Sequence, residues 1–314
     1  QLLNMNDAKI YIQDIADFLE ISPQAIHKKI KDKNLPYTKK QHRILLDHST
    51  TKELINIKVK KTIFAFQIVK GGTGKTTLLF NLALRLNLYG LKILCIDIDQ
   101  QANLTRLFKI DAKKYPTLID WLNGSNTFQD CIINLYPGMD LLPSRIENAT
   151  LDNVLAIGSY PIDRIYRENI AAIKKNYDFI FIDCPPSLGQ SVAAATLASN
   201  CIISPVTPED FSIEGLAIIF NELNNLKTKY KKKPDIKIIL NKYDIRTTLS
   251  NMIFQNLIRN PLYGKHLFSS YIRLSQEFPN TTIKKTTIFD SVRATSASED
   301  IDIWSRELIK KFKD

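Results

Sequence analysis

Residues Phe66 to Leu79 read FQIVKGGTGKTTLL, and this stretch decides the fold. It holds Gly71, Gly72, Thr73, Gly74, Lys75, Thr76 and Thr77, a tightened form of G-x-x-x-x-G-K-[ST], behind an apolar run at 62–69 and ahead of an apolar-periodic segment. Strand, glycine loop and helix in that order mark a phosphate-binding loop rather than a chance cluster of glycines. The glycines let successive backbone N–H groups turn onto phosphate oxygens, and the positive end of a helix starting near Lys75 adds to the same point. Lys75 is expected on the β- and γ-phosphates and the Thr76 hydroxyl on Mg2+. A loop that only turned the chain would need neither side chain.

Outward from the loop, apolar runs and amphipathic segments alternate. Strands are expected at 62–69, 92–98, 140–142, 179–183, 201–206, 236–241 and 266–271. Helices are expected at 75–88, 164–175, 213–230, 250–260 and 298–312. This alternation predicts an α/β fold: a mainly parallel sheet with helices on both faces and its ligand at the carboxyl ends of the strands.

The chain of 314 residues can carry one large α/β domain and a small appendage. A net charge of +11 and a pI near 9.3 point to a polyanionic partner, a nucleic acid or an acidic membrane face, unless the excess lysine is only compositional. Cys95, Cys131, Cys184 and Cys201 lack C-x-x-C spacing and are expected as buried, reduced thiols. No apolar run approaches membrane-spanning length, and no charged-then-apolar signal opens the chain, so a cytoplasmic protein is expected. His27, His42, His48 and His266 are too scattered to suggest a metal site.

Residues 1–60 differ from the rest: they are basic and contain no glycine. Apolar residues from Ile12 to Ile30 fit two short helices broken at Glu20-Ile21-Ser22, with Ser22 as N-cap and Pro23 opening the second. Ala16 in the first helix and the anchor Ile26 in the second resemble a helix-turn-helix, with Glu20 where glycine is usual. A small all-helical helix-turn-helix domain is therefore expected at 1–60, ahead of the phosphate-loop domain at 61–314. On that reading Gln24, His27, Lys28 and Lys31 project from helix 23–31 toward a major groove.

Two acidic stretches narrow the chemistry. Asp97 and Asp99 end the second strand of the α/β domain, and alternation is expected to give them separate roles. Asp183 ends the apolar run 179–183, where a carboxylate is costly unless it is paired or holds a metal.

Lys70 stands directly before the glycines. The string K-G-G-T-G-K-T-T resembles the deviant Walker A ATPases, the family of ParA partition proteins, MinD and the nitrogenase iron protein. Further stretches are similar to the ParA proteins: D-I-D-Q-Q-A-N-L-T from Asp97, D-L-L-P-S from Asp140, F-I-D-C-P-P-S-L-G from Phe181, P-V-T-P-E from Pro205 with Gly215 following, and I-R-L-S-Q-E from Ile272. Gln100 replaces the usual proline. The resemblance covers roughly residues 62–312. It implies ATP and Mg2+ as cofactors, hydrolysis within a homodimer that sandwiches two ATP molecules, DNA as a partner and a centromere-binding adaptor that stimulates hydrolysis. By the same resemblance Lys70 reaches the partner subunit's phosphates, Lys75 and Asp99 serve catalysis with Asp99 orienting water, Thr76 and Asp183 form the metal shell, and Asp97 supports them. Asn241, in L-N-K-Y-D, is the candidate for the adenine edge or simply a turn residue.

Non-specific DNA binding in such dimers uses late basic residues, here Arg246, Arg259, Lys265, Arg273, Lys284 and Lys285, with Arg273 the leading candidate. Lys227 and Lys229 to Lys233 are read as a solvated helix end. The resemblance implies a nucleoid-associated plasmid-partition ATPase whose N-terminal module also represses its own operon. Three alternatives stand beside it. A MinD-like membrane-cycling ATPase would use Ile301, Ile303, Trp304, Leu308, Ile309 and Phe312 as an anchor. An iron-protein-like reductase would need Cys131 at a shared cluster. A pure repressor would not hydrolyse ATP.

Overall fold

The strands TIFAF (62–66) and FIFID (179–183) are apolar on both faces, which suits strands covered on both sides by helices. The computed structural model describes residues 9–40, 43–284, 286–290 and 294–314. The chain begins with β1 (Ile10–Tyr11), α1 (Ile12–Leu19), α2 (Pro23–Asp32), β2 (Thr38–Lys40), β3 (Arg43–Leu46) and α3 (His48–Ile55). It continues through β4 (Thr62–Phe66), α4 (Lys75–Leu88), β5 (Ile93–Asp97), α5 (Asn103–Leu107), α6 (Leu118–Leu122), β6 (Ile133–Tyr136) and β7 (Met139–Leu142). Then come α7 (Leu151–Ile157), α8 (Ile165–Lys174), β8 (Phe179–Asp183), α9 (Gln190–Ala198), β9 (Cys201–Val206) and α10 (Asp210–Tyr230). The last elements are β10 (Asp235–Tyr243), α11 (Thr248–Arg259), β11 (Leu267–Arg273), α12 (Glu277–Lys284) and α13 (Ser296–Lys311).

Eight strands form one sheet in the order β11-β10-β9-β4-β8-β5-β7-β6. All neighbours are parallel except β6 and β7. The phosphate loop follows β4, in the middle of the sheet, and the two acidic strand ends follow its neighbours β8 and β5. Alternation along β4 splits the core: Phe64 and Phe66 face α4 and α13, whereas Ile63 and Ala65 face the opposite layer of α6 to α11. The expected α/β architecture is therefore observed. In the α/β domain β6, α5, α6, α7, α9 and α12 lie outside the expected elements, each of nine residues or fewer and too short to show a long period.

The N-terminal module departs from expectation. Its two helices are in place: the Ser22 side chain accepts from the Ala25 N–H, Pro23 opens α2, and Ala16, Ile26 and Ile30 are buried. Glu20 closes α1 in the left-handed region at φ 55, the conformation that glycine usually supplies. The module is not all-helical, however, because β1, β3 and β2 form a three-stranded antiparallel sheet beside the helices. Arg43-Ile-Leu-Leu is a short β-forming run, and a strand of four residues is below what periodicity resolves.

The module is not suspended on a linker. Its buried residues Ile12, Ile15, Leu46 and Leu54 join the same apolar core as α4 and α13. Arg85 of α4 is 4% exposed and binds Asp302 of α13 at 2.6 Å and Asp14 of α1 at 3.4 Å. The His48 ring meets the Asn87 carbonyl at 2.8 Å, and the rings of Phe18 and Tyr89 are 4.6 Å apart. Two glycines of the α/β domain sit under the module: a Cβ on Gly90 would lie 2.5 Å from Lys52 Cα, and one on Gly138 would lie 2.3 Å from the His48 ring. Downstream, Lys60 N–H donates to Phe312 O, and Val59 bridges Lys313.

Candidate nucleotide-binding site

Gly74 adopts φ 87 as the N-cap of α4, and a Cβ there would meet Asn241 Nδ2 at 2.4 Å. Only glycine satisfies both demands, so the loop turns sharply and leaves its N–H groups at the start of a 14-residue helix. Gly71 and Gly72 are exposed, whereas Thr73 and Lys75 are buried. Gly71, Gly72, Gly74, Lys75, Thr76 and Thr77 line a cavity of about 590 Å3, together with Thr281 and Thr282 of α12. The volume is that of a small-molecule cleft.

The acidic groups converge on this loop. The Thr76 hydroxyl donates to Asp183 Oδ2 at 2.7 Å. Asp183 Oδ1 is buried and has no hydrogen-bond partner, an arrangement costly for a carboxylate. Burial pushes the Asp183 carboxyl well up, the nearby Asp97 charge adds to this, and Thr76 and Lys75 pull it back. Burial lowers the Lys75 ammonium from its ordinary value, and Asp183 opposes that shift. A divalent cation would satisfy the orphaned oxygen and keep Asp183 ionised, so the residues present fit Mg2+ held by Thr76 and Asp183.

Asp97 and Asp99 do have separate environments, but alternation is not the reason, since residues two apart on a strand share a face. β5 ends at Asp97, and Asp99 belongs to the following turn. Asp97 is fully buried and accepts from Thr105 N–H at 3.0 Å, Thr105 Oγ1 at 2.7 Å and Asp99 N–H at 3.1 Å. Burial pushes its carboxyl up to about 7, against the pull of those donors. Its geometry is that of a brace. Asp99 accepts from Gln101 N–H at 2.9 Å, its carbonyl is held by Ser144 Oγ at 2.7 Å, and it lines the cavity.

Lys70 pairs with Glu209, in the loop after β9. Asn241 Nδ2 donates to Thr73 O at 2.7 Å, and Lys242 Nζ donates to Gly72 O at 2.8 Å. Asn241 thus touches the loop backbone directly. Lys242, Thr105, Ser144 and Glu209 lay in quoted stretches, but nothing in spacing alone distinguished them.

The DNA candidates fall into two groups. Gln24, His27, Lys28 and Lys31 are exposed on the face of α2 opposite Ile26 and Ile30. Arg273 instead clamps β11 to α13, donating from Nη2 to Asp300 at 2.6 Å and to Glu299 at 3.1 Å. A phosphate would have to compete with two carboxylates for it. Arg246, Arg259, Lys265 and Lys284 are exposed, whereas Lys285 lies outside the described residues. The lysine run occupies the C-terminal end of α10, where cations suit the helix dipole.

The alternatives find little support in the packing. Of the six anchor candidates, Ile301, Trp304, Leu308 and Ile309 are buried, Phe312 is partly buried against the same core and Ile303 is exposed. All four cysteines are free and buried, and Cys131 Sγ lies 3.3 Å from Thr117 O inside the core. Among the described residues no helix is long and apolar enough to cross a membrane.

Residues 61–238 match the family model AAA_31, described as an AAA domain. The sporulation initiation inhibitor protein Soj of Bacillus subtilis is 30% identical over 223 residues, covering 68% of this chain and 86% of Soj. A protein of Borrelia burgdorferi B31, described as a candidate plasmid partition protein and solved with AMPPNP, superposes with a TM-score of 0.63 at 22% identity, covering 80% of this chain and 98% of that one. Cobyrinic acid a,c-diamide synthase of Mycobacterium smegmatis, solved with an ATP analogue and magnesium, shares the fold at a TM-score of 0.68 and 22% identity, covering 81% and 96%. With its phosphate loop at the centre of a parallel sheet and Asp183 beside Thr76, the chain belongs to the AAA domain family and is a P-loop ATPase of the ParA/Soj type.

Proposed function

We propose that this protein is a DNA-partition ATPase. Its ATP-bound dimer binds DNA without sequence preference, a centromere-binding adaptor stimulates hydrolysis, and the cycle of binding and release moves a plasmid across the nucleoid. The observation that carries the reading is Lys70 at the head of a loop that already has its own lysine, Lys75. One lysine serves the phosphates of its own subunit. The other, Lys70, pairs with Glu209 in the single chain, and exchanging that carboxylate for a partner's phosphates would couple hydrolysis to dimerisation.

ATP binds with its phosphates on Gly71 to Thr77, with Thr76 and Asp183 holding Mg2+. The metal supplies charge neutralisation for the phosphates. Asp99 orients water at the terminal phosphate, and Asp97, held by Thr105, keeps the turn that carries Asp99 in place. Asn241 shapes the nucleoside side of the loop.

Residues 1–60 form a DNA-reading module in this proposal, with Gln24, His27, Lys28 and Lys31 toward the major groove of an operator. The exposed cations Arg246, Arg259, Lys265 and Lys284 serve the sequence-independent contacts together with Arg273. The test is DNA binding with ATP, with ADP and without nucleotide, on random DNA and on DNA from upstream of the gene. ATP-dependent binding to random DNA supports partition. Binding confined to upstream DNA with no nucleotide effect would leave only a repressor.

A further inference from the structure

The amino ends of the strands, at the edge of the sheet away from the phosphate loop, have no role in the account so far. Five adjacent strands start there: β10, β9, β4, β8 and β5. Lys232 and Lys233 lead into β10, Lys61 into β4, Lys174 and Lys175 into β8, and Lys92 into β5. Side-chain contacts hold these cations along the edge. Lys61 Nζ donates to the Lys175 carbonyl and Lys232 Nζ to the Leu197 carbonyl, at the carboxyl ends of α8 and α9. Lys174 Nζ donates to Asn200 Oδ1 at 3.1 Å, and the same oxygen accepts from Ile63 N–H of β4 at 2.9 Å. Lys92 and Lys52 both lie close enough to the His48 ring to oppose its protonation, so the row runs on to the N-terminal module.

Helix carboxyl ends attract cations by themselves, which accounts for Lys61 and Lys232. It does not account for the missing counter-charge. Among the described residues, no carboxylate pairs with Lys61, Arg167, Lys174, Lys175, Lys232 or Lys233. The acids at this edge are used elsewhere: Asp235 pairs with Lys237 at 3.3 Å, and Asp178 accepts from Lys92 N–H at 2.8 Å. Burial holds the Lys232 ammonium below its ordinary range, and the like charges of Arg167 and Lys174 add to this. An ammonium has three donors, and the carbonyl or amide contact of Lys61, Lys174 and Lys232 uses one, which leaves the others for an anion.

We infer that this amino-end row is a DNA-backbone surface, separate from the late basic residues and available without nucleotide. Four inter-strand steps of about 4.8 Å make the row about 19 Å long, roughly half a turn of duplex. A small anion would need cations converging on one point, whereas cations spread over five strand ends suit a line of phosphates. None of the exposed large apolar side chains falls within 58–61, 92, 174–178 or 231–235, so these segments offer nothing to insert into a lipid surface. The phosphate loop lies at the other ends of the strands, so a bound nucleotide neither covers nor uncovers the row. The inference goes beyond the partition reading and does not depend on its nucleotide switch.

The test is the affinity of the full chain for a labelled random duplex, read by fluorescence anisotropy without nucleotide and with ATPγS and Mg2+, over about 50–200 mM salt. Lys61→Gln/Lys174→Gln/Lys232→Gln should bind about tenfold or more weakly in both conditions, and its slope of log K against log salt should be shallower by about 2–3, the loss of three phosphate contacts. Lys113→Gln/Lys114→Gln, which removes exposed charge elsewhere, should bind like the wild type. Lysine acetylation of the wild-type protein, read by mass spectrometry, needs no variant: random duplex should protect Lys61, Lys174 and Lys232 but not Lys113. A slope change below about 1, an equal loss in the Lys113/Lys114 variant, or absent protection of the row overturns the inference. So does sedimentation with anionic vesicles that the triple variant loses while its DNA binding stays intact. If ATPγS changes nothing but the triple variant still binds more weakly, the row stands and the partition switch falls.

Discussion

Replacing Arg85 by alanine tests whether the N-terminal module and the ATPase form one structural unit. Arg85 is buried where α1, α4 and α13 meet, bound to Asp302 at 2.6 Å and to Asp14 at 3.4 Å, with its guanidinium 4.7 Å from the Tyr89 ring. Removing one partner of a buried ion pair costs about 3–5 kcal/mol, because the remaining charge is left uncompensated. Here Arg306 still reaches Asp302 at 2.5 Å, which places the loss near the lower figure. At roughly 2.1 cal/mol/K per residue, 314 residues give an unfolding entropy of about 0.66 kcal/mol/K, so a loss of about 3 kcal/mol lowers Tm by about 5 °C. Urea titrations followed by far-UV circular dichroism measure the change directly. The cycle of Arg85→Ala, Asp302→Ala and the double variant isolates the pairing. The double variant should lose clearly less than the sum of the single ones. A cost below about 1 kcal/mol, or strict additivity, would refute the view that this ion cluster holds the module in place.

Four further outcomes are expected. Lys75→Ala should abolish ATP binding in calorimetry, because the buried ammonium is the main cation of the phosphate cradle; retained tight binding would contradict the loop assignment. Lys70→Ala should keep monomeric ATP binding while losing ATP-induced dimers, which light scattering reads as an unchanged mass on adding ATP. Arg273→Glu should weaken DNA binding and also lower the melting temperature, since it sets a third carboxylate against Glu299 and Asp300; Arg259→Glu, on an exposed residue, should affect DNA binding alone. His48, whose imidazole is lowered by burial and faces Asp47, Lys52 and Lys92, binds a proton less readily folded than unfolded. Its contribution is therefore present above about pH 6.5 and is lost as pH falls below that value, so the fall in Tm on acidification should be shallower in His48→Gln.

The parts of the fold that were legible are those whose sequence carries a strong period or a phosphate-specific pattern. The β4–loop–α4 unit announces itself because a glycine loop, a lysine and a threonine between a strand and a helix have one common use. β8 and β9 were readable to their ends because fully buried strands are unbroken apolar runs. The small sheet of the N-terminal module was not, because strands of two to four residues fall below any period. Arg273 illustrates a different limit. A motif match placed it in a DNA-binding stretch, but its ion pairs with Asp300 and Glu299 come from a helix 23 or more residues away, which no local reading could supply. Asp97 and Asp99 would share a face if the strand ran through both, and their environments differ because the strand ends at Asp97 and Asp99 belongs to the turn that follows.

The seam around Gly90 and Gly138 has a consequence for how the molecule comes apart. Lys52 and His48 occupy the space a side chain would take at those two glycines, while Phe18 and Asp14 close over Tyr89 and Arg85. The far end of the helix that begins at the phosphate loop is thus solvated only if the first sixty residues leave, and their departure would bare an apolar, charged socket. Melting should therefore proceed as one cooperative event rather than two. A nucleotide that steadies the start of that helix should protect backbone amides of α1 and α3 from hydrogen exchange, on the other side of the seam.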